Sequence, residues 1–398
     1  MSLISLLRMS QAPIAGFAAI GTGWGTFAAA IPDLKASLQI SESELGLALF
    51  FGALGAVISM AASAKIMEWL GTGRKLIAVI CLLLGAAFVG PSYATSLAAI
   101  SLAMACVGLT TGLLDVVINA RVSQLEARTG KHLMSLGHGM FSLAYAIAAI
   151  CTGFAREAGF APSDIYPVAA GVITLYAIMA ITGPEVVFAR ETPSGMPMPK
   201  APLPFAVFIL GGLILIAFFA ENATEIWSAL HVERTLGGGA AQGSFGPALL
   251  GLTMAIGRFS GQALASRFGL VQLMTWTATL AAIGGFIAAA APTPAVAYIG
   301  FAALGLGIAT LAPLGFALGG QYLSEAQRPL GIARMTLIGY MGFFFGPPIL
   351  GVLAEAFGLR VAFAVIGGML VVFPILLRAL SAPPVSPDSP APPPSHTA

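Results

Sequence analysis

Stretches of about twenty residues without a charge recur along the whole chain, and no other feature constrains the fold as much. Breaks between them delimit runs near 11–31, 44–64, 76–93, 97–118, 134–154 and 166–187, then 204–228, 246–265, 271–290, 296–321, 330–352 and 359–379. At about 1.5 Å per residue, a helix over each run crosses a hydrocarbon core of about 30 Å, some of them tilted. Composition agrees: 9% of the 398 residues are charged and 58% are hydrophobic, whereas a soluble domain carries about a quarter charged. Lipid offers the backbone no hydrogen bonds, so uncharged runs of this length must be helical. The expected fold is an all-α membrane protein of twelve transmembrane helices.

The net charge of +2 gives no argument for nucleic-acid binding. Cys81, Cys106 and Cys151 lie in apolar runs, are odd in number and lack metal-ligand spacing; they read as small core residues, not disulfides. Arg8 before an apolar run resembles a signal peptide, but the run from Gln11 to Ile31 is longer than a signal core and more spans follow. It reads as a retained first helix.

Lysine and arginine set the orientation. With the N-terminus inside, thirteen fall on the cytoplasmic side and four outside (Lys35, Arg156, Arg234 and Arg360), leaving Arg258 within a helix. Both termini are therefore expected in the cytoplasm of a bacterial inner-membrane protein. The polar, proline-rich stretch between Arg190 and Lys200 reads as a linker over 189–203. It joins a six-helix half at 1–188 to another at 204–380. Residues 381–398, with seven prolines among eighteen, are expected to be a disordered cytoplasmic tail.

The halves repeat short motifs. After the second span comes Glu68-Trp69-Leu70-Gly71 and the basic pair Arg74-Lys75. At an offset of 198 residues, after the eighth span, comes Gly261-Gln262-Ala263-Leu264-Ala265-Ser266-Arg267-Phe268-Gly269. This pattern resembles the loop motif of the major facilitator superfamily, Gly-x-x-x-Asp-Arg-x-Gly-Arg-Lys. Glu68 replaces the usual Asp, Trp69 the Arg, and Ser266 the acid of the second copy. The resemblance covers 11–379 and implies two pseudo-symmetric six-helix bundles. It also implies that Glu68 pairs with Arg74 or Lys75 to hold an inner gate, with Gly71, Arg267 and Gly269 completing the motif. The alternative is interface charge beside a glycine turn.

A second set of motifs resembles the fucose-permease-like branch, and within it the YbjJ-like and rhizopine-permease-like group. These are Asp115-x3-Asn119 in the fourth span, His138-x2-Phe141-Ser142 opening the fifth, and Glu225-Ile226-Trp227-Ser228-Ala229 in the seventh. Relatives of that kind imply a sugar, a cyclitol or, more distantly, a vitamin such as riboflavin.

Ionisable groups inside a bilayer need a partner or a task. Glu221 lies about 26 Å from the inner end of the seventh span, in its outer half. It is either a substrate or proton site or a carboxylate bonded near the outer interface. Asn222 beside it, Trp24 among the glycines of the first span, Arg258 and Tyr340 are the other candidates for that site. For Trp24 the alternative is helix packing. Arg258 either binds an anion, pairs with Glu221 or another acid, or satisfies carbonyls. Glu225 and Trp227 read as outer-interface residues. Asp115 and Asn119 share a helix face near the predicted inner end, at similar depth to Arg121 and His138. That cluster reads as an inner-gate clamp, with proton carriage as the alternative. The eleventh span, with Pro347-Pro348 after several glycines, is expected to bend.

No phosphate-binding loop, zinc-protease motif or nucleophile elbow is present in the sequence, and the four histidines are scattered. No cofactor, metal or catalytic residue is expected. The expected function is secondary transport of a small solute, proton-coupled and inward, by a monomer in the lipid bilayer. Proton-antiport export and a non-transporting sensor or scaffold are the alternatives.

Overall fold

The structure is a computed structural model describing residues 7–131, 133–184 and 202–380, with every side chain there except that of Gln262. The predicted tail, and the predicted linker apart from Pro202 and Leu203, lie outside the described residues. Among those described there is no strand. The helices are α1 (Gln11–Leu38), α2 (Glu42–Leu70), α3 (Arg74–Val89), α4 (Leu97–Thr129), α5 (Met134–Glu157), α6 (Pro162–Thr182) and α7 (Phe205–Leu230). Then follow α8 (Ala240–Phe268), α9 (Leu270–Ala290), α10 (Pro294–Ile308), α11 (Leu311–Gln321), α12 (Arg328–Phe357) and α13 (Leu359–Arg378).

Helix starts follow local chemistry. Ser41 and Glu44 form a reciprocal capping box at α2, and the Ser96 hydroxyl accepts the Ala99 N–H at α4. Among the described residues, eleven stretches are long and apolar enough to cross a membrane, α10 and α11 together making one of them. The remaining helix, α8, has 29 residues but dilutes its apolar character with glycine, serine and a central Arg258. The single span predicted at 296–321 is broken at Ala309–Thr310. Pro313 supplies the reason: its ring excludes the carbonyl four residues earlier. By contrast α12 continues as one helix through Pro347 and Pro348.

The packing repeats. Contacts of α2 with α4, α1 with α5 and α3 with α6 recur as α8 with α10, α7 with α12 and α9 with α13. The most extensive interfaces joining the sets are α5 with α8 and α2 with α12. The loop motifs match in backbone too: Gly71 and Gly269, separated by the same 198 residues, both have positive φ, 73° and 84°. A methyl at either would meet nothing within 4 Å, so conformation, not space, calls for glycine there.

Lipid removes most of the hydrophobic drive between helices, so close backbone approach must hold them. The α2–α4 seam shows this. A methyl on Gly108 would lie 1.8 Å from the Gly52 carbonyl oxygen, and one on Gly55 2.3 Å from that of Ala105. Gly108→Ala should therefore cost about 1–3 kcal/mol by forcing the seam apart. Gly212→Ala, where a methyl meets nothing within 4 Å, should not destabilise. Thermal unfolding of the purified variants checks this, and equal losses at both positions would refute the seam argument.

Of the cysteines, Cys81 is buried, but Cys106 and Cys151 are exposed on the outer surface of the helices. Only Cys81 is thus a core residue; all three are free thiols.

Candidate functional site

A cavity of about 290 Å³ lies between the two helix sets and takes its walls from both. Trp24 of α1, Asp115 of α4 and His138 of α5 line it from one side. Glu221, Asn222 and Glu225 of α7, Arg258 of α8 and Tyr340 of α12 line it from the other. Phe17, Phe141, Phe218, Phe343 and Phe344 make much of the remaining surface aromatic.

Glu221 and Arg258 are joined: an Arg258 terminal nitrogen donates to Glu221 Oε1 at 2.9 Å, with both side chains about 85% buried. The other terminal nitrogen donates to the Ser142 hydroxyl of α5 at 2.8 Å, so Arg258 bridges the two helix sets. Of the roles open to Arg258, pairing with Glu221 is the one present. Glu221 is not in the outer half of its span. Past α7 the helix continues through a π-helical turn, His231–Thr235, which places Glu221 near the middle of a 31-residue span. Glu225 and Trp227 are corrected with it. Glu225 lines the cavity one turn from Glu221, and Trp227 is 1% exposed with its indole N–H unpartnered, so it anchors nothing at an interface. Trp24 both lines the cavity and packs edge-on against Phe27 and Phe88.

The predicted inner-gate cluster does not form a single hydrogen-bonded clamp. Asn119 donates to Asp115 Oδ1 at 2.9 Å and to the Asp115 carbonyl at 2.8 Å, one turn apart on α4. His138 instead stacks near Phe17, with ring centroids 4.9 Å apart. Arg121 is buried further along α4. Depth was misjudged because α4 runs on to Thr129, which puts Asp115 near the middle of 33 residues and into the cavity wall.

The loop-motif pairing is also absent. Glu68 is exposed and makes no ion pair with Arg74 or Lys75, while an Arg74 nitrogen donates to the Gly183 carbonyl at the end of α6. Lys75 begins α3 beside it. Arg267 lies over the Phe268 ring at 5.3 Å. A carboxylate on the last turn of α2 reaches solvent more readily than the first turn of α3, whose arginine serves the free carbonyls of a third helix.

The structure adds a cluster that sequence reading did not single out, at the end of the molecule holding Asp33. Arg156, at the end of α5, has a side chain only 1% exposed. Its Nε and one terminal nitrogen grip Asp33 of α1 at 2.7 and 2.6 Å. Its terminal nitrogens also reach Glu233, in the π turn of the opposite helix set, at 2.7 and 3.1 Å, and the Ala29 carbonyl at 2.7 Å. All of the guanidinium's donors are engaged, which is what burial of that charge demands. Gly243 of α8 leaves room for the Glu233 carboxylate, since a methyl there would lie 2.1 Å from its oxygen. Arg234 adds a longer contact to Glu42 of α2, 3.5 Å.

Beside this lie two symmetric hydrogen bonds. Glu355 of α12 accepts the Ser43 N–H at the start of α2 at 2.9 Å, and Glu157 of α5 accepts the Ala241 N–H at the start of α8 at 3.1 Å. Both acids and both amides are separated by the 198-residue offset of the loop motif. Each carboxylate meets the positive end of a helix from the other set. Applying the offset to Glu157 would have found Glu355 in the sequence. No comparable signal marks Arg156, whose equivalent is Ala354.

A solved D-xylose-proton symporter shares this architecture. Its fold superposes with a TM-score of 0.72, covering 94% of this chain and 97% of that one at 15% identity. The chain has the major facilitator fold. Residues 207–397, within its second half, match the family model of the Major Facilitator Superfamily. An uncharacterized MFS-type transporter of Yersinia pestis is 26% identical over 365 residues, 91% of this chain and 93% of that protein. Membrane protein MosC of Rhizobium meliloti is 27% identical over 84% of this chain and 80% of its own length. In the major facilitator fold the cavity lies between the first helices of the two halves, α1 and α7, where transporter sites sit.

Proposed function

We propose that the chain is a secondary active transporter carrying a small organic solute across a bacterial inner membrane by alternating access. The observation that supports this best is the Arg258–Glu221 pair, buried in a cavity shared by both helix sets and tied to Ser142 across it. A buried ion pair of this kind is expensive to keep and strongly coupled to whatever enters beside it. In this reading Glu221, Arg258, Asn222, Trp24 and Tyr340 receive solute and proton, and Asp115 and His138 join them. Arg258 then reports occupancy to α5 through Ser142.

Cavity size narrows the solute. About 290 Å³ falls at the lower edge of small-molecule sites, about 300–1,000 Å³, which favours a sugar or cyclitol over a three-ring vitamin. The motif resemblance to the fucose-permease-like branch points the same way. With both termini cytoplasmic, the Asp33 end faces outside, and the Arg156 cluster holds the outer entrance shut. Solute then exchanges with the cytoplasm in this conformation, with the inner loop motif disengaged.

Proteoliposomes containing the purified monomer test the reading. A panel of labelled monosaccharides and cyclitols, both neutral and amine-bearing, should include at least one that accumulates when the outside is acidified. Accumulation only under the opposite gradient would establish antiport, and absence of any proton-linked or solute-linked flux would leave a scaffold. Reporter fusions after Arg378 should report cytoplasm and one at Arg234 outside; the reverse would invert the assignment of the gates.

A further inference from the structure

Acidic side chains outnumber basic ones in the central cavity. Three carboxylates line it, those of Asp115, Glu221 and Glu225, against one guanidinium and the His138 imidazole. Arg258 directs one N–H of each terminal nitrogen to Glu221 and Ser142. Asn119 donates to Oδ1 of Asp115, leaving Oδ2 without a hydrogen bond. Two neutral oxygens on facing walls, Asn222 Oδ1 of α7 and Thr111 Oγ1 of α4, are buried without any partner. Thr111 lies one turn before Asp115, and Asn222 lies between Glu221 and Glu225, so these atoms fall beside the uncompensated acids.

Buried acceptors without donors cost free energy, and buried charges without counter-charges cost more. A neutral polyol would satisfy the hydrogen bonds and leave the charges. A positively charged group satisfies both. The other cavity surface suits it as well, because aromatic faces such as those of Trp24 and Phe218 attract cations through the ring quadrupole.

We infer that the solute is an organic cation, a small amine-bearing molecule. Its ammonium group is received by Asp115, Glu225 and the Asn222 side-chain oxygen, and its body lies against the aromatic walls. This rests on the transport reading of the same cavity and adds the charge of the cargo. It also gives Glu221 and Glu225 separate tasks: Glu221 holds Arg258, and Glu225 faces the solute. An inward cation moves with the resting membrane potential, so uptake has a driving force even without a coupled proton.

The cavity's charge preference is measured directly with a cysteine placed in it. In purified protein with Cys106 and Cys151 replaced by alanine, Thr111→Cys is treated with three methanethiosulfonates. They carry a trimethylammonium group, a sulfonate or no charge. Each rate is divided by that of the uncharged reagent at the same site and compared with the same ratio for a free thiol. The trimethylammonium reagent should be favoured by about tenfold or more, and Glu225→Gln or Asp115→Asn should reduce that preference. A ratio equal to that of the free thiol would mean that protons already neutralise the acids, and it would overturn the inference. So would preference for the sulfonate. Lack of reaction with all three reagents would strike the accessible cavity itself, and with it the transport reading. Reaction without charge preference would leave that reading standing.

Discussion

Arg156→Ala should unfold at lower temperature and open the outer end of the protein. The guanidinium is the one group that holds Asp33 and Glu233, carboxylates from opposite helix sets, at bonding distance. Its side chain is 1% exposed, Glu233 15% and Asp33 37%. Removing the arginine leaves Glu233 largely buried beside a second acid, and breaking such an arrangement costs about 3 kcal/mol or more. If that cost falls on the outward-closed state alone, the balance between conformations moves by roughly a hundredfold. A cysteine at Thr111 should then react with impermeant reagent added from outside, where it was protected before. Arg156→Lys should recover little, since an ammonium cannot grip two carboxylates with paired, planar donors. An Arg156→Ala protein with unchanged melting and unchanged outside labelling would show that Glu355 and Glu157 suffice to close this end.

Glu221→Gln and Arg258→Gln should each abolish accumulation of solute against a gradient, by well over tenfold, and each should destabilise the protein. Either change strands a charge in a region where water does not compensate it, at about 3–5 kcal/mol. The double variant, Glu221→Gln with Arg258→Gln, should be more stable than either single one, because amides replace both charges and can still hydrogen-bond each other. Transport should remain lost in the double variant, since the link from Arg258 to Ser142 is missing from it. Melting temperatures and proteoliposome uptake of the four proteins form a cycle that isolates the pair. Normal uptake by Glu221→Gln would remove Glu221 from the transport mechanism and leave it as a structural partner of Arg258. Additive stability losses would show that the two charges are not coupled.

Much of the architecture was legible in one dimension because lipid imposes one rule on every span. A segment that must satisfy its own backbone shows this as an uncharged run, whatever it later packs against. That rule is why the spans were found; separately, the 198-residue repeat noticed in two loops reappears in Gly71 and Gly269 and in Glu157 and Glu355. Depth was harder to read, since charged residues need not end a helix. α4 runs past Arg121 to Thr129, and α7 passes into a π turn carrying Glu233. Those extra turns moved Asp115 from the predicted inner end of its span, and Glu221 from the predicted outer half of its span, to the middle, where they line one cavity.

The sequence by itself determined the membrane class, the internal repeat and a short set of intramembrane charges that had to have partners. Which partner each charge takes was decided only in three dimensions. Arg258 and Glu221 are 37 residues apart and Arg156 and Asp33 are 123 apart. No periodicity within a helix relates such positions; the crossing of helices brings them together. Small residues along seams such as Gly108 against Gly52 set how closely those helices cross, and thereby which buried charges meet.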